Sequence, residues 1–368
     1  MKILSTTARS FGALAGIALA AGAFSAPTTV SAAEFSAKKV EFIVPYREGG
    51  GSDVYCRLFA PFLSKYLPGK PTVLVRNMPG GASVKGSNWF EANAKPDGKT
   101  FVVISSSTQV SYLLGGKKVK FDMLKWRAML TSPLGTVVYI HPNTGFTAKD
   151  PVGSLKKIAD KELRFGAKTV IASELLAFLS YEMVGLKNVK PVFGLSRGKT
   201  RQAMMRNEME LNTDTAGAYI KRVVRLVEQG KVAPLMTMGF PKKGKIMRDP
   251  AFPEIPTVIE LAEKVTGKKP SGPMYQAWYN FVNMAVGSAK GLALPKGTPD
   301  HIYNAYVEAL KKTLADEKFK KSATKIIGSY EQALGADAEE AFEAAVGMKP
   351  EVKKWLTDWI QKKFNVNI

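Results

Sequence analysis

Lys38-Lys39-Val40-Glu41-Phe42-Ile43-Val44-Pro45-Tyr46-Arg47-Glu48-Gly49-Gly50-Gly51-Ser52-Asp53 opens the stretch, residues 38–108, whose reading decides the fold. Val40, Phe42 and Val44 alternate onto one face, as a half-buried strand requires. Three glycines follow, and Ser52 and Asp53 are good helix-start residues. Beyond them Val54, Leu58, Phe59, Phe62, Leu63, Tyr66 and Leu67 keep helical spacing, with a kink expected at Pro61. Glycines between a strand and a helix N-terminus let backbone N–H groups close on a small anion, and the helix dipole favours the same charge. This order points to ligand capture more than to catalysis.

A looser copy of the same order comes next. Strand Thr72–Val75 leads to the turn Pro79-Gly80-Gly81-Ala82-Ser83 and a helix reaching about Ala94. Pro96-Asp97-Gly98 then turns into strand Phe101–Ile104, which ends in the hydroxyl cluster Ser105-Ser106-Ser107-Thr108. Alternating β and α units of this length predict a mainly parallel sheet with covered faces. Ligands of such sheets sit beyond the carboxyl ends of the strands, where the glycine turns and the hydroxyls fall.

A second α/β unit is expected after strand Val137–Ile140. It comprises helix 153–160, strand Leu163–Gly166, helix 173–184, strand 189–194, helix 199–206, strand Met209–Asn212 and helix 217–229. Pro191 marks the strand 189–194 as an edge. Strand Val232–Gly239 is read as leading back to the first unit. The later C-terminal part is mostly helical, with 300–314, 316–327 and 350–364 amphipathic and Trp355 and Trp359 expected as core anchors. The predicted division is 34–140 with 238–368 as lobe 1 and 141–237 as lobe 2. Two crossings make a hinge between α/β lobes that can close on a ligand.

Residues 1–33 read as a cleaved signal peptide. Lys2 and Arg9 make a basic start, 11–24 an apolar core too short to span a bilayer, and Val30-Ser31-Ala32 or Ser31-Ala32-Ala33 a small-residue cleavage site. The rest is expected to be soluble and exported to the periplasm.

The single cysteine, Cys56, excludes an intramolecular disulfide and is read as a small core residue. The net charge of +22, or +20 without Lys2 and Arg9, raises encounter rates with anions. Nucleic acid is a poor fit, because the lysines are scattered and no recognition helix, zinc pattern or aromatic-basic stripe accompanies them. No metal-ligand spacing and no cofactor motif is present. An enzyme reading has one foothold: Gly194-Leu195-Ser196-Arg197-Gly198 fits the nucleophile-elbow pattern. Only His301 follows it, beyond the return crossing, with no reason to meet Ser196. The chain is read as a non-enzyme.

Several further motifs carry a resemblance. They are Val44-Pro45-Tyr46, Gly49-Gly50-Gly51-Ser52-Asp53, Arg57-Leu58-Phe59-Ala60, Val75-Arg76-Asn77-Met78-Pro79-Gly80-Gly81 and Lys95-Pro96-Asp97-Gly98-Lys99-Thr100. Later come Phe252-Pro253-Glu254-Ile255-Pro256-Thr257 and Leu294-Pro295-Lys296-Gly297-Thr298-Pro299. In order and spacing the chain resembles the exported, Bug-type substrate-binding proteins of tripartite tricarboxylate transporters, from about Lys38 to its C-terminus. The resemblance implies a two-lobed periplasmic-binding-protein fold of type II, each lobe a mixed sheet flanked by helices. It implies a monomer that closes on a small carboxylate and delivers it to membrane permease subunits. A sensor role for the closed form is the alternative, which sequence does not separate from transport.

In that family backbone groups, hydroxyls and bridging waters typically hold the carboxylate. Carried over, this points to Tyr46, Gly49, Gly50, Gly51, Ser52, Ser106 and Ser107 in the first lobe. In the second it points to the loop Ala167-Lys168-Thr169, to Ser173, to Arg197 and Lys199, and to Asp214 and Thr215. Arg197 and Lys199 also fit a solvated helix start, and Asp214 a cap for helix 217–229. Two departures stand out. Arg47 and Glu48 occupy positions where proline or alanine is common, and Val170 and Ile171 replace a stretch usually rich in glycine and hydroxyls. A longer or partly apolar acid then fits as well as citrate.

Overall fold

The computed structural model describes residues 35–242 and 244–366, so the signal-peptide reading of 1–33 lies outside the described residues. The chain begins with β1 (Lys39–Val44), α1 (Gly51–Tyr66), β2 (Thr72–Asn77), α2 (Val84–Asn93), β3 (Thr100–Ser105), α3 (Ser106–Leu114) and β4 (Arg127–Ser132). There follow β5 (Thr136–Ile140), α4 (Pro151–Ile158), β6 (Leu163–Ala167), α5 (Leu175–Met183), β7 (Val189–Phe193), α6 (Arg197–Met204) and β8 (Leu211–Thr215). Next are α7 (Ala216–Arg222), α8 (Val224–Glu228), β9 (Ala233–Thr237) and the hairpin β10 (Phe240–Lys242) and β11 (Lys245–Met247). The chain ends with α9 (Val258–Thr266), α10 (Gly272–Val282), β12 (Lys290–Leu294), α11 (Asp300–Ala315), α12 (Glu317–Ile327), β13 (Ala333–Leu334), α13 (Ala336–Val346) and α14 (Pro350–Phe364).

Two mixed sheets organise these elements. The first runs β13-β4-β12-β3-β1-β2 and the second β7-β6-β8-β5-β9. β1 pairs in parallel with β2 and β3, whereas β12 arrives antiparallel between β3 and β4, with Lys290 opposite both Ser105 and Ser132. In the second sheet β7, which carries Pro191, is the edge, where a missing N–H costs no ladder bond. The mainly parallel expectation holds only for β1–β3 and β6–β8; antiparallel strands complete each sheet.

The predicted strand face does bury. Val40, Phe42 and Val44 pack against Tyr55, Phe59 and Leu63 of α1 and against Tyr306 and Leu310 of α11. The Phe42 and Phe101 rings lie 4.1 Å apart, and Phe59 meets Phe319 of α12 at 4.8 Å. α1 continues through Pro61 as a single helix. The second sheet is covered by α5, whose Phe178 and Tyr181 pack edge-on to Phe165.

Several boundaries differ from the sequence expectation. β5 pairs in the second sheet with β8 and β9, so the change of sheet falls at residues 133–135 and not after 140. α9, α10 and α14, expected with the first lobe, bury Leu261, Trp278, Phe281, Leu356 and Ile360 in the core formed by Phe165 and Phe178. Amphipathicity shows which face a helix buries but not which sheet receives it. The helix expected at 217–229 is two helices meeting at Val223, and the hydroxyl cluster 105–108 starts helix α3.

The crossing at Gly135 is tightly built. A side chain there would lie 2.0 Å from Asp249 Oδ2 and 2.1 Å from the Tyr330 hydroxyl, so only glycine fits. The Tyr330 hydroxyl donates to Asp249 Oδ1 at 2.8 Å, and the Tyr330 ring stacks on Phe240 at 5.4 Å. Asp249 is fully buried.

Candidate functional site

The first sheet delivers three loops to its carboxyl edge. Tyr46 follows β1, the turn 79–83 follows β2, and Ser105 ends β3. The Tyr46 hydroxyl lies 2.5 Å from Ser105 Oγ and 2.8 Å from Thr108 Oγ1. Ser105 and Thr108 also form a capping box that satisfies the start of α3. Burial raises the Tyr46 phenol above its ordinary value, so it stays neutral.

The glycine loop is partly engaged with itself. Gly49 N–H donates to Asp53 Oδ2 at 2.9 Å, and Gly50 N–H to the Arg47 carbonyl at 3.3 Å. Asp53 also accepts from Arg57 Nε and Asn77 Nδ2, each at 3.0 Å. Burial alone would raise its carboxyl, but the hydrogen bonds from Arg57, Gly49 and Asn77 hold it below its ordinary value. α1 starts at Gly50 with no side-chain cap, so the N–H groups of Gly51 and Ser52 lack partners within the helix.

Lys290 reaches this corner from β12. Its Nζ donates to Ser52 Oγ at 2.6 Å and lies 5.8 Å from the centre of the Tyr46 ring. Burial, helped by repulsion from Lys168 and Arg197, pushes its pKa down to about 7.

The second sheet brings its own charges. Glu174, almost fully buried, lies 3.4 Å from Lys168 Nζ and 3.6 Å from Arg197 Nε. Burial raises its carboxyl, but Lys168 and Arg197 outweigh that and hold it below its ordinary value. Glu174 Oε2 and Arg197 Nε nonetheless have no hydrogen-bond partner, and neither has Ser83 Oγ in the turn after β2. The sides meet where Ser107 Oγ lies 3.5 Å from Ser173 Oγ, which Arg197 also contacts at 3.5 Å. A cavity of about 330 Å³ opens beside this contact, lined by residues 45–47 and 79–83, Ser107 and Lys168.

Of the residues singled out in the sequence, Tyr46, Ser52, Ser107, Ser173 and Arg197 converge on this cleft. Gly49 and Gly50 are engaged within their own loop and Gly51 opens α1, none of them lining the cavity, and the Ser106 N–H donates to the Ala289 carbonyl beside Lys290. Thr169 is exposed in the loop beside Lys168, and Lys199 is exposed, its N–H donating to Ser196 Oγ at 3.4 Å. Asp214 is committed elsewhere: it accepts from Tyr139 at 2.9 Å and forms a close ion pair with Arg201. That pair, and not a cap on the following helix, accounts for its position; Thr215 itself is the half-buried N-cap residue of α7. Ser196 of the elbow motif caps α6, while His301 lies exposed on α11, which packs on the first sheet. Sequence reading missed Lys290, Glu174 and Ser83. Only Lys290 left a trace, as a charge at the head of the apolar run Gly291–Leu294.

No protein-family model matches the chain. It is 24% identical over 332 residues to the UPF0065 protein in the gbd 5′ region of Cupriavidus necator, covering 86% of this chain and 88% of that one. To the protein BugT of Bordetella pertussis it is 27% identical over 338 residues, covering 89% and 93%. Solved structures with the same fold include a TctC solute-binding protein from Polaromonas, at TM-score 0.59, 21% identity and coverage of 88% and 98%. An R. palustris protein solved with adipate matches at TM-score 0.62, 16% identity and coverage of 89% and 98%. MatC of Rhodopseudomonas palustris, solved with malate, matches at 0.56, 18% identity and the same coverage. Along nearly its whole length the chain is thus similar to the UPF0065 protein and to BugT, and it has the two-sheet fold of solved structures such as TctC and BugD.

Proposed function

We propose that this protein is an exported solute-binding protein that captures a small carboxylate in the cleft between its two sheets and delivers it to a membrane permease. The observation that carries this reading is the meeting of three cations at one cleft: Lys168 and Arg197 beside the buried acid Glu174, Arg197 against the Ser173 hydroxyl, and Lys290 on the Ser52 hydroxyl. Cations gathered beside unpartnered buried polar atoms are stabilised by an anion that answers both. The similar folds solved with malate and with adipate support the choice of carboxylate. Export is supported by the signal-like residues 1–33, and among the described residues no helix is long and apolar enough to cross a membrane. Contacts are proposed from Tyr46, Gly51, Ser52, Ser107, Ser173 and Arg197, with closure about the chain crossings at 133–135, between α10 and β12 and between α13 and α14.

A thermal-shift panel of mono-, di- and tricarboxylates tests this reading. A ligand that binds only the folded state at about 100 times its Kd adds roughly 2.7 kcal/mol, enough for a clear rise in Tm. At least one carboxylate should produce that rise while neutral amides of the same acids do not. A panel without any response would overturn the reading.

A further inference from the structure

The cleft carries more positive charge than a single carboxylate needs. Lys168 and Arg197 share the one carboxylate of Glu174, which leaves the second lobe with one unmatched positive charge. Lys290, on the first lobe, adds another. Its recorded hydrogen bond goes to the Ser52 hydroxyl, and among the described residues it has no acidic side chain within ion-pair reach. The groups facing Lys290 explain its isolation. On α1, burial keeps Cys56 a neutral thiol, and Asp53 is turned to Arg57 and Asn77. Tyr46 in the first loop is neutral, and the strand neighbours Ser105 and Ser132 are uncharged. From the second lobe come only Lys168 and Arg197, of the same sign.

We propose that Lys290 is the residue that selects ligands with a second negative charge. One anionic group pairs with its ammonium beside Ser52 and the open first turn of α1, and the other lies toward Lys168 and Arg197. This rests on the reading of the cleft as a carboxylate site. The ammonium has three donors and a partner for one of them, so a second carboxylate gives it partners that no side chain supplies. A monoacid leaves one of the two positive charges unanswered, and that difference in binding is the specificity. An anion beside Lys290 also favours its protonated form. With a free pKa near 7, binding of a diacid then draws a proton onto Lys290, and affinity falls as the pH rises through 7 to 9.

The test is calorimetry on the full exported chain with matched pairs, succinate against butyrate and adipate against hexanoate. All four acids are mostly ionised at pH 6.5, and completing the diacids' ionisation toward pH 9 would raise their affinity, so a fall reports on the protein. The parent should bind one of the diacids at least tenfold more tightly than its monoacid at pH 6.5, with the preference shrinking at pH 9. Lys290→Met should abolish the preference, lowering diacid affinity at least tenfold more than monoacid affinity. Lys290→Arg should keep the preference at both pH values, since arginine stays charged. A Tm near the parent's identifies folded variants, and the pH dependence of the parent tests the proposal without any variant. If Lys290→Met keeps the parent's preference, or if the parent binds monoacids as well as diacids, the selector role fails and the carboxylate reading stands. If neither these acids nor the wider carboxylate panel binds, both fail.

Discussion

Tyr46 shows how one hydroxyl ties three segments together. It joins the end of β1 to the end of β3 and to the first turn of α3, and its ring forms one wall of the cleft. Tyr46→Phe keeps the wall and removes the bonds. Net loss of such buried bonds costs about 0.5–1.5 kcal/mol, or more where the serine is left without a partner. Urea denaturation should show that loss, and an unchanged midpoint would mean the knot contributes nothing. Asp214 is a harsher case because its partners, Arg201 and Tyr139, are themselves largely buried. Asp214→Ala strands a guanidinium beside Tyr139, on the face of the second sheet away from Phe165, and should lower stability by roughly 3–5 kcal/mol. A loss below about 1 kcal/mol, read in the same denaturation series, would show that water reaches Arg201. Neither role was visible in the sequence, where Asp214 reads equally as a cap or as a ligand contact. A side chain's partner depends on register across the sheet, and Val137, not Asp214's chain neighbours, sets that register.

Elements were legible where their own residues carried the signal. The alternation of Val40, Phe42 and Val44 and the helical spacing from Val54 to Leu67 gave β1 and α1 nearly to the residue, because each buries one face locally. α14 was legible as a helix with inward tryptophans, and Trp355 and Trp359 do pack against a core, stacked 6.2 Å apart. Its destination was not legible, since the apolar stripe of α14 suits either sheet. β4, β12, α9 and α10 escaped notice for a related reason: their partners lie far away in the chain, and Gly291 and Ala293 dilute the strand pattern of β12. The placement of α14 makes a sharp prediction. Leu356 is fully buried in the second core, beside Ile360. Leu356→Ala should cost about 2–5 kcal/mol in global stability. Native-state hydrogen exchange should show the loss in α5 and α10, the helices it packs with; protection lost in α11 and α12 instead would contradict the assignment.

At the scale of the whole molecule, the two sheets are joined through Gly135, with Asp249 and Tyr330 closed over it. Burial raises the Asp249 carboxyl above its ordinary value near 3.8, because charge is disfavoured there. A group whose folded pKa is raised contributes its stability fully below the unfolded pKa and loses it as the pH climbs through the folded value. The crossing is therefore more stable in mild acid than at neutral pH. Asp249→Asn keeps an acceptor for the Tyr330 hydroxyl and removes the charge. Relative to the parent it should gain stability as the pH rises from 4 to 8, and parallel stability curves would refute that.

The position of β12 has a consequence for how the protein comes to be folded. β3 and β4 are made within the first 132 residues, yet the strand that lies between them starts at residue 290. Until then two strand edges stand open, and the second core still waits for α14, which starts at residue 350. Closing contacts over such separations costs chain entropy before it returns any stability, which slows folding. Neither lobe is complete before β12 and α14 have been made, so the two halves close late and not in the order of synthesis.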